Sequence, residues 1–183
     1  MKIVLLLQLI LLFSMPIVAQ ETEKPSTFHR LLIFNNQNEL LVVRVKNSNR
    51  WVTPGWYQDN SLTIKDGLDA LARSYGIAVT APTLRGVFTL RSEQNQQIST
   101  RLVYATKFAG GKIKMPDIID EIRWLSVSKA MEIMTFPHIN AQLDQLTKFP
   151  DSIWGGSQLM YQEDGVYKVK IIEGFYPLAS VLK

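Results

Sequence analysis

Cysteine is absent from this 183-residue chain. Its absence excludes a disulfide framework, a thiolate nucleophile and the modified cysteine that anchors a lipoprotein. Histidine is scarce as well: His29 and His138 are the only two, and neither has a carboxylate at ligand spacing. We therefore expect both histidines at the surface and neither in a metal site. A Gly-x-Ser-x-Gly elbow, a P-loop and a dinucleotide fingerprint are also missing, which removes the usual signatures of several hydrolase and nucleotide-binding classes.

Long runs of one charge sign are missing too. Lys and Arg number 20 against 16 Asp and Glu, so the formal net charge is +4, and the basic residues are scattered along the chain. Without a basic run or stripe, the sequence predicts no nucleic-acid partner. A hydrophobic content of 46% with 20% charged residues is typical of one globular domain with its own core.

The most hydrophobic part of the sequence is its N-terminus. Lys2 precedes an apolar run too short to span a bilayer comfortably, and Ala19 offers a small residue for cleavage. This pattern predicts a secretory signal peptide over residues 1–19 and a flexible lead-in over residues 20–27. The protein is therefore expected to be exported, either to a periplasm or out of the cell. It would contact a membrane only through an uncleaved signal peptide.

The spacing of polar and apolar residues predicts the elements that follow. Two β-rich runs at 28–34 and 39–45 flank an Asn-rich turn, which predicts a hairpin. Apolar residues three, four and seven apart predict a helix over 63–75, with Thr63 as its N-cap and a glycine at its end. Strands around 86–90 and 99–109, two further helices and an Asp-Gly hairpin at 164–165 are predicted after it.

The stretch GWYQDNSLTIKDGLDALARSYGI, residues 55–77, resembles the signature of the Nudix hydrolase family. That signature reads G-x5-E-x7-R-E-U-x-E-E-x-G-U, where U is an aliphatic residue. The tryptophan and proline just before it resemble the family's W-x-x-P-G-G segment, with Trp56 in place of the second glycine. The acidic strand within residues 116–126, followed by a short helix through Met134, resembles the closing segment of a Nudix domain. The signature's glycines and aliphatic residues fall on Gly55, Gly76, Leu71 and Ile77.

The charged positions of the signature are not kept. In the family, the last glutamates hold the magnesium ions that bridge a diphosphate. Hard divalent cations need oxygen ligands, preferably anionic ones. An arginine and a serine occupy those two glutamate positions here, so the sequence predicts that the ordinary metal site is lost. The departures from the signature are Ser61, Asp69, Ala70, Arg73 and Ser74.

Other acidic residues offer an alternative site. Asp66 and Asp69 lie three apart on the predicted helix and could share a face as a displaced metal site. Asp69 also precedes Arg73 by four residues, a spacing at which the two can pair on the helix surface. By the resemblance, Glu121 falls near the place where some family members keep a catalytic base. The remaining acids near the signature or the closing strand are Asp59, Asp117 and Asp120.

The resemblance implies an α+β fold, the Nudix α/β/α sandwich around a mixed β-sheet. It covers residues 28–149. Residues 150–183 have no counterpart in the minimal fold, and we expect them to form a C-terminal β-hairpin extension packed on or beside the domain. Such an extension could be a lid, a partner surface or added packing.

The missing acids favour a domain that has lost metal-dependent hydrolysis and serves as a ligand- or protein-binding module. Its partner would be a small anionic ligand or an envelope protein, and neither a cofactor, a metal nor a catalytic residue is assigned. The alternative is a divergent hydrolase that cleaves a nucleoside-diphosphate-linked compound, with Mg²⁺ or Mn²⁺ held by relocated acids. A third hypothesis makes the extension the working part of an envelope interaction protein. The candidate ligand contacts are Arg44, Trp51, Trp56, Arg91 and Arg101.

Overall fold

The computed structural model describes residues 26–94 and 96–181. The predicted signal peptide and most of the predicted lead-in lie outside the described residues. Within the described ranges, no helix combines the length and the apolar character needed to cross a membrane.

Ten strands and three helices make up the described part of the chain. In order they are β1 Ser26–Phe34, β2 Leu40–Val45, β3 Trp51–Val52, β4 Gly55–Tyr57, α1 Ile64–Ser74, β5 Ile77–Val79, β6 Thr83–Ser92, β7 Ile98–Gly111, β8 Ile119–Leu125, α2 Val127–Ile133, α3 Pro137–Lys148, β9 Ser152–Glu163 and β10 Val166–Ser180.

The strands form one mixed sheet in the order β10-β9-β6-β7-β1-β2-β3, with β4 on β1, β5 on β7 and β8 on β2. Two of its pairings are parallel, β1 with β7 and β6 with β9. The first strand pair diverges quickly, because β1 and β2 share a register only at the turn, where Phe34 faces Leu40. Farther along, β4 takes the place of β2 beside β1.

Helices cover both faces of this sheet. Successive side chains of a strand point to opposite faces, so Leu31 and Leu32 of β1 enter different cores. Leu31 packs with Leu68 of α1, whereas Leu32 packs with residues of α2 and α3 such as Ile139. The result is the predicted α/β/α arrangement around a mixed sheet.

Helix α1 begins and ends where the sequence predicts. The Thr63 hydroxyl accepts a hydrogen bond from the Asp66 backbone N–H (3.2 Å) and donates one to the Asp66 carboxylate (2.7 Å), which caps the first turn. At the other end Gly76 has φ +71, and a Cβ there would clash with the carbonyl of Lys112. Glycine is therefore required at that helix end.

The C-terminal hairpin continues the central sheet. Asp164 and Gly165 take positive φ values of 50 and 76 at its turn, as an Asp-Gly hairpin requires. Strand β9 pairs in parallel with β6 from Gly86–Trp154 to Ser92–Met160. Trp154 and Phe175 pack against the core beneath α3. The predicted β-hairpin is confirmed, and its first strand lies inside the sheet.

Candidate functional site

Three of the altered signature positions are exposed on helix α1 and the loop before it. The Ser61 backbone N–H and hydroxyl both donate to Oδ1 of Asp59, at 2.8 and 2.5 Å. These bonds lower the pKa of Asp59. Arg73 and Ser74 are exposed, and the Ser74 hydroxyl donates to the Leu71 carbonyl of its own helix at 2.7 Å. Each serine therefore offers only a neutral hydroxyl oxygen where the family has a carboxylate.

The two acids of α1 are already bonded within the helix. Asp69 accepts a hydrogen bond from Lys65 Nζ at 2.7 Å, and this bond lowers the pKa of its carboxyl group. The predicted ion pair of Asp69 with Arg73 is wrong, because the Asp69 carboxylate is paired with Lys65, one turn earlier in the helix. Asp66 is engaged by the cap residue Thr63.

The acids of β8 are held by arginines. Arg44 Nε contacts Asp120 at 2.7 Å and its Nη1 contacts Glu121 at 3.0 Å, while Arg123 contacts Glu121 at 2.5 Å. No group of three or more histidine, aspartate or glutamate side chains in residues 26–94 and 96–181 is arranged to hold a metal ion. The donor set around the signature therefore does not fit a magnesium site of the Nudix type.

Trp56 fills space between α1 and β1. Its indole stacks on the His29 ring at 4.4 Å between centroids, and it lies so close to Gly67 that a Cβ on that glycine would clash with it. His29 is 0% exposed, and its Nε2 lies 2.8 Å from Oε1 of Gln58. The expectation that His29 lies at the surface is wrong, because a tryptophan distant in sequence covers it.

The opposite face of β1 borders a cavity of about 290 Å³, whose wall includes the buried cation Arg30. Arg30 is only 4% exposed, and its Nη1 donates to Thr53 Oγ1 at 2.6 Å, whereas its Nε has no partner. Burial, then the charge of Arg101, lowers the pKa of Arg30 to about 9. The guanidinium is still charged at neutral pH.

Arg101 and His138 line the same cavity. Arg101 Nε is buried without a partner, and its guanidinium lies 4.8 Å from the centre of the Phe28 ring. His138 is 4% exposed, with Nδ1 unpartnered, so the prediction of a surface position is wrong for this histidine as well. Burial, followed by the charges of Arg30 and Arg101, holds the pKa of His138 well below its usual value.

The candidate ligand contacts are dispersed over the molecule. Arg101 borders the cavity, whereas Arg44 is paired with acids and lies 5.7 Å from the Trp51 ring. Trp56 packs on the core, and Arg91 is exposed on β6. Sequence reasoning missed Arg30, whose signal was a charged residue within the apolar strand STFHRLLIF.

This arrangement of sheet, helices and signature loop is the fold of the Nudix hydrolases. Among similar solved structures, a MutT protein from Bacillus halodurans has TM-score 0.57 and 14% identity, covering 79% of this chain and 97% of that one. A MutT protein from Methanosarcina mazei Go1 has TM-score 0.58 and 19% identity, covering 70% and 97%. A NUDIX hydrolase from Nitrosomonas europaea has TM-score 0.59 and 13% identity, covering 68% and 90%.

Comparison of the sequence with known families and proteins finds no match. No family model matches the chain, and no curated protein matches it. The resemblance stated from residues 55–77 is thus confirmed at the level of the fold.

Proposed function

We propose that this protein is an exported Nudix-fold binding module without metal-dependent hydrolysis. The observation that carries the proposal is the state of the signature helix. A cation, Arg73, and a neutral hydroxyl, Ser74, stand where the family keeps two magnesium-binding glutamates. Arg73 repels a divalent cation, and the serine contributes no charge.

Relocated acids do not restore the site. Hydrolysis of a diphosphate needs an activated water and compensation of charge on the reacting oxygens, usually from bound metal. Asp69 is held by Lys65, and Asp66 by Thr63. The acids of β8, Asp120 and Glu121, are held by Arg44. Asp69, Asp120 and Glu121 each already face a cationic side chain, which weakens their attraction for a metal ion, so the divergent hydrolase is the weaker alternative.

Calorimetric titration of the purified protein with Mg²⁺ and Mn²⁺ tests the proposal, together with phosphate release from nucleoside triphosphates, dinucleoside polyphosphates and nucleotide sugars. We expect neither saturable metal binding nor cation-dependent turnover. A matched variant, Ala70→Glu/Arg73→Glu/Ser74→Glu, restores the carboxylates on the same helix and should gain Mn²⁺ binding, which shows that the assay detects such a site. Turnover by the unmodified protein that disappears in Asp66→Asn/Asp69→Asn would overturn the proposal.

Export is the second part of the proposal and rests on residues 1–19. Fusion of those residues to a reporter enzyme that is active only outside the cytoplasm provides the test. We expect activity of the reporter, and loss of that activity when charged residues interrupt the apolar run. A reporter that stays inactive with the intact segment contradicts export.

A further inference from the structure

Arg30 is a buried cation that lacks a counter-ion. It is 4% exposed, and its neighbours in β1 are the apolar Leu31 and a buried histidine. The ion pairs found in residues 26–94 and 96–181 do not include Arg30. Its Nη1 reaches Thr53, but its Nε is left without a partner. A buried charge is costly unless it is paired and hydrogen-bonded, so an anion is the missing element.

A second guanidinium lies beside the first. Arg101 of β7 stands directly across from Phe28 of β1 in the parallel register. Both arginines contact that phenyl ring, Arg30 at 5.3 Å and Arg101 at 4.8 Å from its centre. Arg101 Nη2 also donates to the Tyr57 hydroxyl at 3.3 Å, while its buried Nε is free. The aromatic rings therefore hold two like charges together at the cavity.

The first turn of α3 adds one further polar side chain, that of His138. The first residue of the helix is Pro137, which has no backbone N–H, and the Ile139 N–H donates to the Phe136 carbonyl at 2.9 Å. His138, the second residue of the helix, lies in the cavity wall with an unpartnered Nδ1. Because burial and the nearby arginines lower its pKa, His138 is neutral at pH 7, and one ring nitrogen can donate a hydrogen bond.

The rest of the cavity is apolar. Its volume of about 290 Å³ lies at the lower end for small-molecule sites, and its wall includes Leu90 of β6 and Met160 of β9 besides the aromatic rings. A suitable ligand therefore has one anionic end and a compact apolar body. A planar carboxylate matches the guanidinium fork and carries less charge into the cavity than a phosphate dianion.

We propose that the cavity bordered by Arg30, Arg101 and His138 binds a small organic carboxylate with an aromatic or aliphatic body. The inference rests on the proposed binding function and names the site and the ligand class. The cavity wall also includes Gly55 and Tyr75 of the signature stretch, but the groups proposed to hold the ligand are cationic and neutral side chains, so binding requires no metal.

Titration of the purified protein with benzoate and octanoate, followed by calorimetry and by thermal denaturation, tests this site. We expect saturable binding and a raised melting temperature with both acids, and neither effect with benzamide, the uncharged analogue of benzoate. Phenyl phosphate should bind at least tenfold more weakly than benzoate. Stronger binding of the phosphate would refute the carboxylate assignment.

Single substitutions locate the site. Arg30→Met and Arg101→Met should each weaken benzoate binding at least tenfold, and Arg30→Lys, which keeps the charge without the fork, should weaken it less than Arg30→Met. Arg91→Met removes the same charge from an exposed position and should leave binding unchanged. Equal binding by all four variants, or no saturable binding at millimolar acid, would refute the site.

The two proposals fail separately. If the protein binds no carboxylate and also shows no metal-dependent turnover, the cavity site is refuted and the proposed loss of hydrolysis is still supported. If the protein shows metal-dependent turnover and binds benzoate in a way that Arg30→Met abolishes, the proposed loss of hydrolysis is refuted and the cavity site is supported.

Discussion

Replacement of Arg30 by methionine should stabilise the ligand-free protein, although it removes a buried side chain. The pKa of this guanidinium falls from 12.5 to about 9, chiefly because of burial. At about 1.4 kcal/mol per pH unit, that difference corresponds to roughly 5 kcal/mol spent on keeping the charge inside the protein. Methionine is unbranched and adaptable, so it can occupy much of the space of the arginine stem.

Two favourable contacts of Arg30 offset part of this cost. The hydrogen bond to Thr53 at 2.6 Å has a charged donor and contributes about 1.5–3 kcal/mol. The contact with the Phe28 ring at 5.3 Å contributes about 0.5–1 kcal/mol. The net gain for Arg30→Met is therefore on the order of 2 kcal/mol, or a rise of roughly 4–8 °C in melting temperature for a chain of this size.

Thermal and urea denaturation of the variant at pH 7.5, without added carboxylate, measure this gain. Arg91→Met, at an exposed position, is the control and should change stability by less than about 0.5 kcal/mol. A clear fall in the melting temperature of Arg30→Met would show that the cation is satisfied within the protein. The inference that Arg30 lacks an anionic partner would then be refuted.

Three further predictions concern buried residues and their contacts. Gly67→Ala should lose about 1–3 kcal/mol of stability in urea denaturation despite the better helix propensity of alanine, because its Cβ would clash with the indole packed on it. Gln142→Leu and Gln158→Leu should each cost about 1–3 kcal/mol, since each leaves half of a buried 2.7 Å amide pair unsatisfied, and the double variant should cost less than the sum. The folded protein lowers the pKa of His138, so the free energy of unfolding of the wild type should fall as the pH drops below about 6.5, where the unfolded chain takes up the proton. This loss is at most about 2 kcal/mol between pH 7.5 and 5.0. His138→Gln should remove it.

Controls and contrary results are available for each of these predictions. Gly174→Ala, where nothing lies within 4 Å of the added carbon, should be nearly neutral. A loss there equal to that of Gly67→Ala would contradict the clash. Strict additivity of the two glutamine substitutions would contradict a shared hydrogen bond. Parallel stability curves for the wild type and His138→Gln across this pH range would show that the histidine is not held neutral by its surroundings.

The elements that sequence predicts well are those fixed by local chemistry. Helix α1 carries its own cap at Thr63 and its own terminator at Gly76, and the last hairpin carries its own turn at Asp164 and Gly165. These signals lie within a few residues of the structure that they specify. The fold class was likewise predictable, because the spacing of the signature survives even though its acids do not.

The candidate site was less predictable, since distant residues create it. His29 is buried because Trp56 and Gln58, far along the chain, cover it. Arg30 resembles any charge within a strand until the register with β7 brings Arg101 beside it. Asp69 had two possible partners at helical spacing, and sequence reasoning selected Arg73 where the structure has Lys65. Burial and pairing of this kind depend on tertiary packing that local patterns do not encode.

The parallel pairing of β9 with β6 bears on how the chain reaches its folded state. Strand β6 is synthesised long before its neighbour, and its backbone groups on that side stay open until Ser152–Glu163 has been made. A product that stops before this strand would expose a bare sheet edge, the kind of surface on which chains aggregate. Removal of the tail would therefore test whether the protein assembles at all, and only substitutions at its exposed positions can reveal whether it also recruits a partner.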